Sequence, residues 1–166
     1  MLNKNLKVPI EKLYPVLIYN FVTGNLPSKS TYDERLLWQK VGYIAQQLGL
    51  SLNEYTFNWY KAGPYSPGYT SILYNFSNIF DEVSNYRLSD LALEKLEPMK
   101  VINNNVPTGM STSKWFELVA SILFLKKDTE LDKKAVFVSL MRKKPFFNDE
   151  NINDYAWNLL KKLDMI

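Results

Sequence analysis

The sequence of 166 residues contains neither cysteine nor histidine. Without cysteine there can be no disulfide, thiolate nucleophile, zinc–thiolate site or cysteine-held iron–sulfur cluster. Without histidine the chain lacks the commonest general base and the commonest protein ligand of zinc, copper and iron. Ser-His-Asp and Cys-His sites are therefore excluded, and a magnesium or calcium site would need converging carboxylates.

The sequence also has no strong charge imbalance and no long apolar run. The net charge is +3, which is too small to indicate nucleic-acid binding by itself. The apolar run over residues 16–22 is too short to span a bilayer, and no secretory signal is recognisable. We expect a soluble, cytoplasmic protein that does not interact with membranes.

Hydrophobic residues make up 46% of the chain and aromatic residues 14%, which favours broad buried layers. The length suits one compact domain. The apolar periodicity predicts a mostly α fold with one short strand or small β-ribbon. We expect a winged-helix-like N-terminal part over residues 1–96, a loop over 97–113 and a C-terminal helical bundle over 114–166.

Apolar residues at helical spacing, separated by helix-breaking residues, predict seven helices. Pro15 either lies inside the first helix or marks where that helix begins. In the second helix, Gln39 and Lys40 lie on the polar face opposite an apolar stripe, and such a polar face usually contacts water. The predicted helices cover residues 9–22, 31–48, 67–80, 90–98, 112–125, 132–144 and 148–163, and the candidate caps are Thr31 or Asp33, Ser89 or Asp90, Thr112 or Ser113, and Asn148.

The most distinctive stretch covers residues 58–67 and holds three aromatics, two prolines and a glycine. An aromatic run over residues 55–60 predicts a short strand. Gly63-Pro64 then predicts a change of direction, and Ser66-Pro67 predicts a helix start with serine at the N-cap. This corner is either architecture alone or a rigid recognition surface that exposes Tyr65 and the serine after it.

The order helix, strand, turn, helix is compatible with a winged-helix arrangement, which binds DNA in many proteins. The candidate reading helix over residues 67–80 contains no lysine or arginine. Because phosphate contacts dominate nucleic-acid affinity, DNA reading through this helix is not supported.

Three segments of the N-terminal half together form a recognisable signature. They are Leu37-Trp-Gln-Lys-Val-Gly-Tyr-Ile-Ala-Gln46, Trp59-Tyr60 and Gly63-Pro-Tyr-Ser-Pro67. In these segments the chain resembles the YwgA-like proteins and, more distantly, the Panacea antitoxin domain of SocA-like and phage-associated proteins. The resemblance covers roughly residues 34–78. It implies a mostly helical domain of bacteria, archaea and their phages, without established catalysis in most members.

The leading hypothesis is a non-enzymatic protein-interaction module, antitoxin-like or part of a phage, mobile-element or defence system. The candidate partner-binding residues are Tyr65, Ser66, Trp59, Lys61 and Lys40. The alternative is a nucleic-acid-binding regulator that uses two basic patches. Its candidate residues are Lys4, Lys7, Lys12, Arg142, Lys143 and Lys144.

No catalytic residue, cofactor or metal ligand is predicted. The acidic pairs are scattered, and each lies near a predicted helix end, where capping and the helix dipole explain it. A metal-dependent nuclease with oxygen ligands, the third hypothesis, would need such carboxylates to converge. The pairs are Asp33-Glu34, Asp81-Glu82 and Asp149-Glu150.

Overall fold

The fold was analysed in a computed structural model, which describes residues 9–75 and 77–166. These residues form seven α-helices, one 3-10 helix and one hairpin. The elements are α1 (Ile10–Thr23), α2 (Tyr32–Gln47), β1 (Asn58–Tyr60), β2 (Gly63–Tyr65), α3 (Pro67–Asn75), the 3-10 helix (Ser77–Asn85), α4 (Asp90–Asn104), α5 (Thr112–Lys126), α6 (Lys133–Lys143) and α7 (Glu150–Lys162). The predicted mostly helical fold with a small β-ribbon is confirmed, since about 65% of the described residues are helical.

Two helices, α2 and α5, form the centre of the molecule. They pack against each other, and α2 also contacts α1, α3, α4 and β2, while α5 contacts α6, α7 and β2. Both helices are consequently buried over most of their length, α2 from Leu36 to Ala45 apart from Leu37, and α5 from Trp115 to Leu123. No helix in the described part of the chain is long and apolar enough to cross a membrane.

An aromatic stack joins α2 to α3 within this core. The rings of Trp38 and Tyr69 are 4.6 Å apart and nearly parallel, and the indole N–H of Trp38 donates to the Tyr69 carbonyl at 2.9 Å. Gly42 makes room for this stack, because a Cβ atom there would lie 2.3 Å from the Tyr69 ring. A glycine inside a helix is normally unfavourable, so close packing explains its presence.

The loop predicted over residues 97–113 is wrong in its first half. Helix α4 continues through Pro98 to Asn104, and only residues 105–111 form the connection. The reason is burial: Leu96, Met99 and Ile102 recur at helical spacing and are fully buried. This apolar stripe outweighs the local preference of Pro98 to end a helix.

Helix starts were predicted more accurately than helix ends. Thr31 caps α2 in a capping box with Glu34, and Ser89 caps α4. The predicted caps of α5 and α7 are wrong. Ser111, which precedes the predicted Thr112 or Ser113, accepts the capping hydrogen bond of α5. Asp149, one residue after the predicted Asn148, accepts those of α7. These shifts are small because several residues able to cap lie side by side in each loop.

Two further boundaries differ from prediction. Helix α1 begins at Ile10 and contains Pro15, which decides between the two alternatives for that proline. The predicted helix over 67–80 ends as α3 at Asn75, and a 3-10 helix follows. The hairpin therefore lies before α3, and among the described residues no second hairpin follows α3.

Candidate partner-binding site

The distinctive stretch over residues 58–67 forms a β-hairpin followed by the start of α3. Trp59 pairs with Pro64 and Tyr60 with Gly63, so the predicted reversal at Gly63-Pro64 is wrong. Those two residues lie in β2, and Lys61-Ala62 makes the turn. Gly63 has a φ of +81°, and a Cβ there would lie 2.8 Å from Ser121 Oγ on α5. Glycine is therefore required both by the backbone and by the close approach of α5.

The side chains of the hairpin divide between its two faces, as the alternation of strands requires. Tyr60 and Tyr65 lie on one face, with their rings 5.2 Å apart in an edge-on arrangement. Tyr60 is 49% exposed and Tyr65 partly exposed. Trp59 lies on the opposite face, 5.5 Å from the Phe124 ring and below the ammonium groups of Lys143 and Lys144.

The prediction that Ser66 is exposed for recognition is wrong, because Gln39 of α2 covers it. The Gln39 amide accepts a hydrogen bond from the Ser66 N–H at 2.9 Å and donates one to the Ser66 carbonyl at the same distance. Both residues are buried. Ser66 Oγ in turn accepts from the Tyr69 N–H, so its predicted role as the N-cap of α3 is confirmed.

Lys40, predicted on the exposed polar face of α2, is also buried. Its ammonium group lies beneath the hairpin and donates to the carbonyl of Pro64. Burial lowers the pKa of Lys40 from 10.5 to about 7, and Lys144 and Lys114 act in the same direction while Glu117 opposes them. Lys40 therefore supports the hairpin from below and cannot contact a partner directly.

Lys144, assigned to a basic patch for nucleic acid, belongs to this buried group as well. Its ammonium lies 2.8 Å from Glu117 Oε1 and also donates to the backbone carbonyl of Lys61. The other Glu117 oxygen lies 2.9 Å from the ammonium of Lys114. We call Gln39, Lys40, Glu117 and Lys144 the polar base of the hairpin. Lys61 itself is exposed, and only its backbone carbonyl contacts this base.

A cleft of about 190 Å³ lies beside the face of the hairpin that carries Tyr65, between α2 and α3. Tyr32 and Tyr74 stand at its edge, 58% and 51% exposed. We call it the tyrosine cleft. Its lining residues are Tyr32, Arg35, Leu36, Gln39, Lys40, Ala62, Tyr65, Thr70 and Tyr74.

Arg35 is the half-buried cation of the tyrosine cleft. One guanidinium N–H donates to the Lys29 carbonyl at 2.7 Å. Its remaining N–H groups have no hydrogen-bond or ion-pair partner among residues 9–75 and 77–166. Lys29 extends its own ammonium over the Tyr74 ring at 4.9 Å. The cleft is consequently lined by basic and aromatic groups.

The predicted residues of the two nucleic-acid patches differ in their surroundings. Lys4 and Lys7 lie outside the described residues, and Lys12 contacts Tyr55 and Glu54. At the other patch only Arg142 and Lys143 are exposed, because Lys144 is buried in the polar base. The exposed basic surface at the end of α6 is therefore smaller than the sequence indicates.

Several site residues were not predicted from the sequence. No motif marked Tyr32, Arg35 or Tyr74. Tyr32 and Arg35 lie about one turn apart on α2, and Tyr74 lies on α3, so only the packing of these helices shows that they are near Tyr65. Glu117 lay in an otherwise apolar helix, and a single carboxylate in such a run is the available signal of a buried ion pair. Within the described ranges, no three acidic residues lie close enough together to hold a metal ion.

The chain was compared with protein-family models, with curated proteins and with solved structures, and none of them matches it.

Proposed function

We propose that the chain is a non-enzymatic protein-interaction module that binds its partner at the tyrosine cleft. The resemblance of residues 34–78 to the Panacea and YwgA-like proteins supports an antitoxin-like role, or a role in a phage, mobile-element or defence system. The observation that carries the proposal is a cleft lined by the exposed Tyr32 and Tyr74, the partly exposed Tyr65 and Arg35.

Tyrosine and arginine are the residues most often found at the energetic centres of protein interfaces. A tyrosine ring offers a large contact area and a hydroxyl group, and fixing it costs little conformational entropy. Three tyrosines line this one small cleft, and the exposed Tyr60 packs its ring against one of them, Tyr65. This arrangement supports a surface that recognises another protein.

The polar base adds a second property that a binding surface needs, which is rigidity. Gln39 holds the backbone of Ser66 on both sides, and Lys40 and Lys144 hold the carbonyls of Pro64 and Lys61. Tyr65 lies between these anchored positions, so its backbone has little freedom left to lose on binding. Such preorganisation increases affinity without additional contacts.

The proposal is tested by expressing the tagged chain together with each open reading frame next to its gene. We expect one neighbour to copurify in a fixed stoichiometry, and we expect Tyr65→Ala and Tyr60→Ala to reduce that complex at least tenfold. Tyr86→Ala is the matched control, because Tyr86 is 46% exposed, does not line the cleft and, unlike Tyr60, does not pack its ring against a tyrosine that does. The absence of any complex, or equal loss with all three variants, contradicts the proposal.

A nucleic-acid-binding regulator remains the second candidate, favoured by the exposed pair Arg142 and Lys143 at the end of α6. If this pair contacts phosphates, affinity for labelled DNA or RNA should fall steeply between about 50 and 200 mM salt. Replacing both residues with glutamine should then reduce the slope of that dependence. Binding that is absent or independent of salt at these concentrations rules this candidate out.

A further inference from the structure

We infer that the tyrosine cleft receives the carboxylate side chain of an aspartate or glutamate from an acidic segment of the partner protein. This inference rests on the proposed function and adds to it the chemistry that selects the partner. Three features support it: the charge of the cleft, the free donors of Arg35 and the size of the cavity.

The charges around the cleft all have one sign. Arg35 is the accessible cation of the lining, because the Lys40 ammonium is buried against the Pro64 carbonyl, and no carboxylate lines the cleft. Lys29 adds a second cation at the edge, over the Tyr74 ring. A carboxylate entering here would therefore meet positive charge without a competing acidic group, which is the complementarity that selects partners.

The two acidic residues nearest in sequence to Arg35 are directed elsewhere. Glu34 accepts hydrogen bonds from Ser28 and Thr31 in the capping box, and these bonds lower its pKa. Asp33 is exposed in the first turn of α2 and does not line the cleft. The charge of Arg35 also lowers the Glu34 pKa, but within residues 9–75 and 77–166 neither carboxylate forms an ion pair or hydrogen bond with the guanidinium. Arg35 therefore keeps donors that fit a carboxylate in a paired, bidentate arrangement.

The size of the cleft indicates a single side chain. Its volume of about 190 Å³ is below the roughly 300–1,000 Å³ of sites that enclose small-molecule ligands. A nucleotide would not fit, whereas one acidic side chain with its flanking backbone against the tyrosine rings would. The exposed rings of Tyr32 and Tyr74 would cover the apolar part of that segment.

The inference can be tested before the partner is known, by selecting peptides from a random display library on the purified full chain. Selected peptides are kept if they bind the original chain at least tenfold more tightly than the Tyr65→Ala variant. Each is then synthesised with its acidic residues intact and with the corresponding amides. Binding is measured against the original chain, Arg35→Gln, Arg35→Lys and Arg142→Gln.

We expect the kept peptides to share one aspartate or glutamate, and the amide versions to bind about tenfold or more weakly. Arg35→Gln should reduce affinity to a similar extent and Arg35→Lys to a lesser one, because lysine keeps the charge but not the paired donors. Arg142→Gln makes the same change in net charge outside the cleft and should have no effect. Circular dichroism of each variant controls for loss of folding.

Kept peptides without a shared carboxylate, or with equal affinity for the Arg35→Gln variant, overturn the inference while leaving the proposed interaction module in place. Displacement of the peptides by a short single-stranded oligonucleotide at physiological salt also overturns it, in favour of a phosphate ligand. A library that yields no peptide dependent on Tyr65 overturns it as well. In that case the coexpression experiment alone decides whether the proposed function survives.

Discussion

Two sets of residues at the β-hairpin differ in nearly every physical property. The ionisable residues of the polar base, Lys40, Glu117 and Lys144, are almost completely buried. The tyrosines at the tyrosine cleft have neutral side chains and are exposed or partly exposed. This is the reverse of the usual arrangement, in which charges face water and aromatic rings face the core.

The comparison shows how a small protein can present aromatic residues without losing their geometry. Buried charges contribute little net stability, because removing them from water costs about as much as their attraction returns. The polar base instead fixes the position of the hairpin, because it forms hydrogen bonds with the backbone of Pro64, Ser66 and Lys61. The stability that depends on the polar base and the proposed binding at the exposed tyrosines should therefore respond to different mutations.

The largest effect on stability is expected when Glu117, the carboxylate of the polar base, is replaced. Glu117→Gln leaves the ammonium of Lys144 buried without a counter-charge, and we expect the free energy of unfolding to fall by about 3–5 kcal/mol. Urea denaturation measures this change. Glu130→Gln is the control, because Glu130 is exposed. A loss below about 1 kcal/mol would show that the buried charges do not hold the hairpin.

The next effect concerns the hydrogen bonds between Gln39 and Ser66. Gln39→Ala leaves the buried N–H of Ser66 without a partner, whereas the Ser66 carbonyl keeps its hydrogen bond from the Thr70 N–H. We expect a loss of about 1–3 kcal/mol in the free energy of unfolding. Gln47→Ala on the partly exposed end of the same helix should change it by less than about 0.5 kcal/mol. Similar losses in both variants would contradict the assignment of Gln39 to the base.

Lys40 should make stability depend on pH. The folded chain releases the Lys40 proton near pH 7 and the unfolded chain only near its ordinary pKa of 10.5. Between these values the unfolded state binds more protons, so stability rises with pH, by at most about 1.4 kcal/mol per pH unit. Urea denaturation from pH 7 to 9 should show this rise in the original chain.

In Lys40→Met the same pH series should be flatter, whatever the absolute stability of that variant. The pKa of Tyr19 is raised to about 12, mainly by burial. Its proton is lost first from the unfolded state, near pH 10, so stability falls again at higher pH in both proteins. An equal rise from pH 7 to 9 in the original chain and the variant would refute the role given to Lys40.

The smallest effect on stability is expected at the exposed tyrosines of the hairpin. Tyr60→Ala removes a half-exposed ring and its edge-on contact with Tyr65, and we expect a loss of about 0.5–1 kcal/mol. The same variant should nevertheless reduce partner binding strongly. A stability loss as large as that of Glu117→Gln would remove the distinction between the two sets of residues.

Local features of the fold were predicted well because they depend on neighbouring residues. Thr31 and Ser89 were recognised as caps, and Ser66-Pro67 as a helix start, because capping requires only a polar side chain and the next three backbone groups. Pro98 was misjudged for the converse reason. Its helix is maintained by burial against the rest of the core, which no local pattern reveals.

For the candidate site, the sequence predicted the region around Tyr65, but it misassigned the environment of the polar residues there. Lys40 and Gln39 have the spacing of a solvent-exposed helix face. They are buried because the hairpin and α5 cover that face, and α5 is distant in the chain. Lys144 was likewise assigned to a basic patch, since its partner Glu117 is close only in the folded structure.

The sequence by itself therefore determined the chemistry that is absent, with no cysteine or histidine for catalysis or metal binding, and the positions of most helices. The tertiary structure decided which polar residues are buried and which aromatic residues are exposed. The physical reason is that hydrogen bonds, capping and turn geometry act over a few residues. Burial depends on which distant segment packs against each face.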